Sequence, residues 1–168
     1  MNWTADPLSM PLESTSLKAL GQKRFMSDSN GLGRIEMLVY NGTGGAMVAN
    51  ACYILAHDGD EEFNPKAAVA GAVATVQRYV CVATEAAADA AYTWVVMQGY
   101  YSIRCDGTTD IAKDDFLKLA PGSDADALIK DGTAETISSV AIARAALTTD
   151  ANANLDCFLL GKRCVVNT

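Results

Sequence analysis

Short runs of β-branched and aromatic residues, separated by turn residues, recur along most of the chain. The first run is Arg34–Tyr40, and the glycine-rich loop Asn41–Gly45 ends it. The strongest run is Tyr92–Cys105, in which Gly99 predicts a bend or a bulge. Turn signals at this spacing are typical of a small β-barrel or sandwich. The sequence therefore predicts a mainly all-β fold.

The other predicted strands are shorter. They are Ala51–Ala56, Val76–Thr84, Phe116–Leu119, Leu128–Lys130, Glu135–Ala146, Leu155–Leu160 and Arg163–Val166. Alanine has the highest helix propensity, so a helical alternative stays open for the alanine-rich segments Asn64–Ala74 and Ser138–Leu147. The alanine cluster Glu85–Ala91 is short and lies between β-forming residues, which predicts a loop or a single helical turn.

The N-terminal segment differs from the rest, because it mixes proline, serine, aspartate and asparagine without a helical or alternating period. We predict an extended N-terminal arm over residues 1–30, with a frayed terminus as the alternative, and a single β-rich domain with one principal core over residues 31–168. The apolar residues of a proline-stiffened arm are suited to lying along a neighbouring protein. The candidate partner contacts are Trp3, Pro7, Leu8, Met10, Pro11 and Leu12.

The charge of the chain limits its ligands. A net charge of -7 and a pI near 4.6 argue against nucleic acid or anionic lipid as the main ligand, because phosphate binding needs concentrated lysine and arginine. No apolar run approaches the ~20 residues that span a bilayer, and the N-terminus does not read as a secretory signal. We therefore expect a soluble protein without nucleic-acid or membrane partners.

The residues that carry chemistry are few and scattered. Five cysteines with irregular spacing predict reduced, buried thiols and no disulfide framework. His57 is the only histidine, and it lies in an acidic turn, where a surface role is expected. We predict no enzymatic activity, no cofactor and no metal, although a cysteine-dependent hydrolase and a calcium site at paired aspartates are alternatives. The aspartate pairs are Asp58 and Asp60, Asp106 and Asp110, and Asp124 and Asp126.

From about Val95 onward the chain resembles the small β-barrel head decoration (cement) proteins on the capsids of tailed bacteriophages. The stretches that carry this resemblance are Val95–Tyr101, Asp114–Leu119, Leu128–Gly132 and Ser139–Ala146, followed by the loop Thr148–Asn154. The resemblance is one of composition and strand order, with no diagnostic catalytic residue. The N-terminal third extends beyond the minimal barrel of that family, so its role is not transferred.

The resemblance implies a structural protein that binds the exterior of the virion head after assembly in the host cytoplasm. Members of this family often form homotrimers that bridge subunits of the major capsid protein and stabilise the lattice. The alternative hypothesis is a virion-surface recognition module that binds a host glycan or protein. In that case Trp94, Tyr100 and Tyr101 are the candidate side chains for stacking on a sugar.

Overall fold

The protein is described by a computed structural model that covers residues 20–28, 30–56, 66–68, 77–121 and 126–165. These residues form an all-β fold, as predicted, and none of them lies in a helix. Within these ranges there is accordingly no helix long and apolar enough to cross a membrane. The strands are β1 (Lys23–Ser27), β2 (Gly33–Asn41), β3 (Cys52–Ala56), β4 (Lys66–Ala68), β5 (Gln77–Ala83), β6 (Tyr92–Cys105), β7 (Phe116–Leu119), β8 (Leu128–Gly132), β9 (Ala141–Ala143), β10 (Ala153–Leu159) and β11 (Arg163–Val165).

Five strands close into a first ring, which we call barrel 1. Strand β2 pairs antiparallel with the first half of β6 and parallel with β4. Strand β4 pairs with β3, β3 pairs with β5, and β5 returns to β6. Closure satisfies the backbone of each strand on both sides and removes exposed edges from the ring.

A second ring, barrel 2, begins in the second half of β6. From β6 the pairing passes to β10, β9, β7 and β8. The ring closes where Cys105 pairs with Leu128, next to a 2.8 Å hydrogen bond from the Asp106 amide to the Leu128 carbonyl. Strand β6 therefore belongs to both barrels. Gly99 lies between its two halves with φ +103°, and a Cβ there would be 2.4 Å from the Gly33 carbonyl oxygen, which explains the predicted bend.

The two barrels repeat the same topology with the same register. Strand pairs, one isolated bridge and the hydrogen bonds of one turn in barrel 1 each have a counterpart in barrel 2. The corresponding pairs are Cys52↔Val82 with Phe116↔Ile142, Val82↔Val96 with Ile142↔Phe158, Tyr40↔Tyr92 with Arg104↔Asn154, and the bridges Met47↔Ala87 with Ile111↔Leu147. Asn50 and Asp114 also match, since both have φ near +69° and both donate from the amide to an alanine carbonyl, of Ala83 and Ala143 respectively. The described chain is thus an internal repeat of one small barrel.

The interior consists of two hydrophobic clusters, whereas the sequence predicted one principal core. One cluster fills barrel 1 and includes Met37, Met47 and Val95. The other includes the barrel 2 residues Ile103 and Leu117, together with side chains from the outer face of barrel 1. Those outer-face side chains are Cys52, Ile54, Val80, Val82 and Val96. Barrel 1 therefore packs against the core of barrel 2, and the repeats cannot separate without exposing apolar surface.

Most predicted strands are confirmed, but β1 and β4 were not predicted, and the long strand predicted at Glu135–Ala146 is wrong. Only Ala141–Ala143 is a strand there. Before it, the Thr136 and Ser139 hydroxyls bond local backbone and the Asp131 carboxylate, which competes with strand pairing. The helical alternative at Ser138–Leu147 is wrong, since this segment contains β9 and no helix. The alanine cluster Glu85–Ala91 is a loop, as predicted.

Part of the predicted N-terminal arm lies in the sheet. Strand β1 pairs antiparallel with β2 from Lys23↔Met37 to Ser27↔Gly33. Strand β1 ends the path of paired strands, and among the described residues no strand pairs with its other side. That side of β1 is an open edge in the described part of the chain. Residues 1–19 lie outside the described residues.

Candidate functional site

Several residues predicted to matter lie outside the described residues. The six candidate partner contacts, Trp3, Pro7, Leu8, Met10, Pro11 and Leu12, belong to this group, and so do His57 and the aspartates Asp58, Asp60 and Asp124. The site is therefore built from the remaining surface. Two features of that surface are suited to binding: the open edge of β1 and a polar cleft on barrel 2.

The first feature is the edge surface, defined by the open side of β1 (Lys23–Ser27) and the side chain of Phe25. Phe25 is 73% exposed, the largest exposure among the large hydrophobic side chains that the structure describes. An open strand edge presents unpaired amides and carbonyls, and it binds a further strand by main-chain hydrogen bonds. The edge surface is thus a candidate for protein docking.

A buried ion network fixes β1 against β2. The carboxylate of Glu36 is fully buried and accepts from Arg24 at 2.6 Å and from Arg34 at 2.7 Å. The Arg24 guanidinium lies 3.9 Å from the ring centroid of Trp94, and Arg34 lies 5.1 Å from that of Tyr101. Paired in this way, the buried charge is compensated and both arginines are held in place. One face of Trp94 is consequently covered by the Arg24 guanidinium.

The second feature is an open cleft of about 460 Å³ on the outer face of barrel 2. Its lining combines two tyrosines with residues of both charges: Asp28, Asn30, Leu32, Arg34, Tyr100, Tyr101, Ser102, Lys113, Arg144, Asp156 and Cys157. Strands β6 and β10 place Tyr100, Ser102 and Asp156 on one face, since Tyr100 pairs with Phe158 and Ser102 with Asp156. The turn between β1 and β2 contributes Asp28, Asn30 and Leu32.

The thiols of the described cysteines are unsuited to nucleophilic catalysis. Cys52, Cys81, Cys105 and Cys157 are free and buried, as predicted. Burial raises the pKa of Cys52 and of Cys81, and for Cys157 a hydrogen bond with Cys105, together with burial, raises the pKa. A raised pKa keeps the thiol protonated at neutral pH and lowers its reactivity. The side chain of Cys164 lies outside the described residues.

The described aspartates are used in turns and ion pairs. Asp106 accepts from the Thr108 amide at 2.8 Å within its own turn, and Asp126 pairs with Arg104 at 2.7 Å. Within the ranges that the structure covers, no group of three or more histidine, cysteine, aspartate or glutamate side chains is arranged to hold a metal ion. The oxygens of Asp106 and Asp126 thus serve local structure.

Two buried aspartates in barrel 2 have lowered pKa values. Burial opposes ionisation of Asp115, but the hydrogen bonds from Lys130 and the Ala112 amide, with the charge of Lys130, outweigh burial and lower its pKa. For Asp131 burial is likewise outweighed, by hydrogen bonds from Ser139, Thr136 and Lys118 and by the charge of Lys118. The two ion pairs connect β7 with β8. Lys118 on β7 pairs with Asp131 on β8, and Lys130 on β8 pairs with Asp115, which immediately precedes β7.

Sequence reasoning identified only part of the cleft. Tyr100 and Tyr101 were named as candidates, but Lys113, Arg144 and Asp156 were not, because they come from separate elements that only the barrel brings together. A signal for the repeat was present, since the segments beginning Val80-Cys81-Val82-Ala83 and Val140-Ala141-Ile142-Ala143 have the same apolar pattern.

No protein-family model and no curated protein matches this chain. Among solved structures, the chain is similar to the N-terminal base of the head fibre protein gp8.5 of bacteriophage phi29. The two are 14% identical with a TM-score of 0.47, and the match covers 76% of this chain and 97% of that one.

Proposed function

We propose that this protein is a non-enzymatic structural protein of a tailed bacteriophage that binds the outside of the head and stabilises the capsid lattice. In this proposal it bridges subunits of the major capsid protein, associates with itself as a homotrimer and resides on the capsid exterior. The net charge of -7 is in keeping with a role that involves neither nucleic acid nor membrane.

The observation that carries the proposal is where the family-like stretches lie in the fold. Val95–Tyr101 belongs to β6, Asp114–Leu119 contains β7, Leu128–Gly132 is β8, and Ser139–Ala146 contains β9. Strands β7, β8 and β9 are members of barrel 2, and β6 joins that ring from Gly99 onward, whereas Val95–Gln98 lies in the wall of barrel 1. Three of the four stretches that resemble a small-barrel family, and the end of the fourth, thus lie in one small barrel, which supports the resemblance from which the function is inferred.

The edge surface supplies a means of attachment in this proposal. It lies on barrel 1, in the part of the chain to which the resemblance does not extend. An exposed Phe25 on an open strand provides both an apolar anchor and main-chain hydrogen-bonding groups for a capsid subunit. In a trimer the same contact is made several times, so modest individual affinities add to a persistent attachment.

Co-sedimentation with heads that lack decoration tests this proposal. The native chain is expected to sediment with the heads and to raise their temperature of disruption, and light scattering is expected to give the mass of a trimer. The variant Phe25→Ser is expected to bind about tenfold or more weakly, because it removes the anchor.

Val48→Ser is the matched control, because Val48 is 51% exposed and lies outside the edge surface. This variant is expected to bind like the native chain. A monomer that fails to sediment with heads would overturn the proposal. Equal binding by Phe25→Ser and the native chain would overturn the edge surface as the means of attachment.

A further inference from the structure

We propose that the cleft on barrel 2 is a binding site for an uncharged saccharide. This inference goes beyond attachment to the head, since the cleft residues Tyr100, Ser102 and Asp156 are not part of the edge surface. The cleft brings an aromatic ring together with hydrogen-bonding side chains that are not engaged elsewhere in the described structure. Concave sites with a few placed polar groups are typical of small-ligand binding.

The aromatic platform is Tyr100. Its ring is half-buried and is held edge-on by Phe158, with ring centroids 5.0 Å apart and planes inclined by 75°. The Arg144 guanidinium is 5.9 Å from the Tyr100 centroid, much farther than the 3.9 Å between Arg24 and Trp94. The face of Tyr100 is therefore less closely covered, and it can pack against the C–H face of a sugar ring while its hydroxyl bonds a polar substituent.

Around this ring the cleft offers both donors and acceptors. Among the described residues, the side chains of Ser102, Lys113 and Asp156 make no hydrogen bond or ion pair with one another or with a neighbour. Ser102 and Asp156 are opposite each other in the β6–β10 register, so their Cβ atoms are about 5 Å apart. A sugar hydroxyl donates and accepts at once, so adjacent hydroxyls can donate to Asp156 and accept from Lys113.

The charges in the cleft favour an uncharged ligand. Arg34 shares the single charge of Glu36 with Arg24, and Arg144 pairs with Asp114 at 3.1 Å. The other charged residues of the lining are the cation Lys113 and the carboxylates Asp28 and Asp156, so the charges of the cleft and its ion-pair partners cancel. A phosphate, sulfate or carboxylate ligand would have to enter beside Asp156, and that like charge would weaken its binding.

The test uses the full chain and immobilised neutral oligosaccharides that contain glucose, galactose or N-acetylglucosamine, followed by calorimetric titration of those that bind. Tyr100→Ala and Asp156→Asn are each expected to weaken binding by about tenfold or more, because the first removes the platform and the second replaces a charged acceptor with a weaker, neutral amide. Tyr100→Phe is expected to keep most of the affinity, since it keeps the ring. Lys113→Gln is expected to reduce affinity without abolishing it.

Tyr40→Ala is the matched control, because Tyr40 is also half-buried and packs edge-on against Tyr92, at 5.6 Å, but on barrel 1 and outside the cleft. It is expected to bind sugar like the native chain. Circular dichroism and the unfolding midpoint establish that each variant folds. Asp156 is exposed, so Asp156→Asn is not expected to unfold the protein, and a loss of sugar binding in this variant reports on the cleft itself.

Three outcomes would overturn the inference: no neutral oligosaccharide binds, Tyr100→Ala binds as tightly as Tyr40→Ala, or binding is confined to sialylated or sulfated glycans and disappears in Lys113→Gln. Head binding is measured separately by co-sedimentation. A Tyr100→Ala variant that sediments with heads but loses sugar binding supports the cleft, and failure of head binding leaves the sugar result standing.

Discussion

The two barrels place the same backbone position in opposite surroundings. Glu36 pairs with Val96 in barrel 1, and Tyr100 pairs with Phe158 at the matching position of barrel 2. Glu36 is fully buried beneath two arginines, whereas Tyr100 is half-buried beside an open cleft. The difference arises because β1 pairs with β2 alongside Glu36. On the corresponding side of Tyr100 there are only the beginning of β2 and the turn before it. A duplicated fold thus uses one copy of a position for stability and leaves the other available for binding.

The largest expected effect comes from replacing Glu36, the buried residue of this equivalent pair. Glu36→Gln removes the charge that compensates Arg24 and Arg34, and we expect the free energy of unfolding to fall by about 3–5 kcal/mol. Urea titration followed by tryptophan fluorescence measures this change, since Trp94 lies under Arg24. As a control, Asp114→Asn breaks the exposed pair with Arg144 and is expected to cost under about 0.5 kcal/mol. Similar losses in both variants would contradict the structural role of Glu36.

The next largest effect is expected in the turn that precedes the isolated bridge of barrel 2, and the corresponding turn of barrel 1 serves as its control. A Cβ at Gly107 would lie 1.9 Å from the Thr149 carbonyl oxygen and 2.6 Å from that of Ala151, both backbone atoms. Gly107→Ala is therefore expected to lower the free energy of unfolding by about 3 kcal/mol through overpacking. Gly45→Ala, in the turn of barrel 1, meets nothing within 4 Å and is expected to be close to neutral in the same urea titration. A neutral Gly107→Ala would show that the turn of barrel 2 is not closely packed against the loop at Thr149.

The smallest effect is a pH dependence confined to barrel 2. In barrel 1 the residue equivalent to Asp115 is Ala51, which has no ionisable side chain. The equivalence follows from matching hydrogen bonds, since the Ala143 amide donates to the Asp115 carbonyl and the Ala83 amide donates to the Ala51 carbonyl. Because the pKa values of Asp115 and Asp131 are lowered on folding, their ionisation stabilises the fold above the ordinary pKa of 3.8, and this contribution disappears as pH falls through the lowered values.

Urea titrations from about pH 6 down to about pH 2 measure this dependence. The native chain is expected to lose stability most steeply below about pH 4, and the double variant Asp115→Asn with Asp131→Asn is expected to give a shallower slope. An unchanged slope in the double variant would assign the acid sensitivity to other carboxylates.

The sequence predicted the all-β class and most strands, because their apolar side chains alternate or run together between turn residues. It failed at β1, where Phe25 is exposed and the alternation therefore gives no sign of burial. It failed at β4, whose run Lys66–Ala68 is too short to show a period. At Glu135–Ala146 the spacing of Ile137, Val140, Ile142 and Ala145 predicted one long strand, but hydrogen bonds of Thr136 and Ser139 within this segment and to Asp131 replace strand pairing before Ala141.

The repeat and the cleft needed the fold. The halves share a register but few identities, so Glu36 and Tyr100 occupy equivalent positions without any likeness in chemistry. Tyr100 and Tyr101 were accessible to sequence reasoning because aromatic residues on a strand are candidate platforms. Asp156 and Lys113 were not, because their proximity to Tyr100 depends on the closure of barrel 2.

The shared strand β6 has a mechanical consequence. Its fourteen residues run without interruption from the wall of one barrel into the wall of the other. A pulling force on either end is thus carried across the molecule by covalent backbone and by ladders of hydrogen bonds loaded in shear. Such a continuous strand resists elongation better than two modules joined by a flexible hinge.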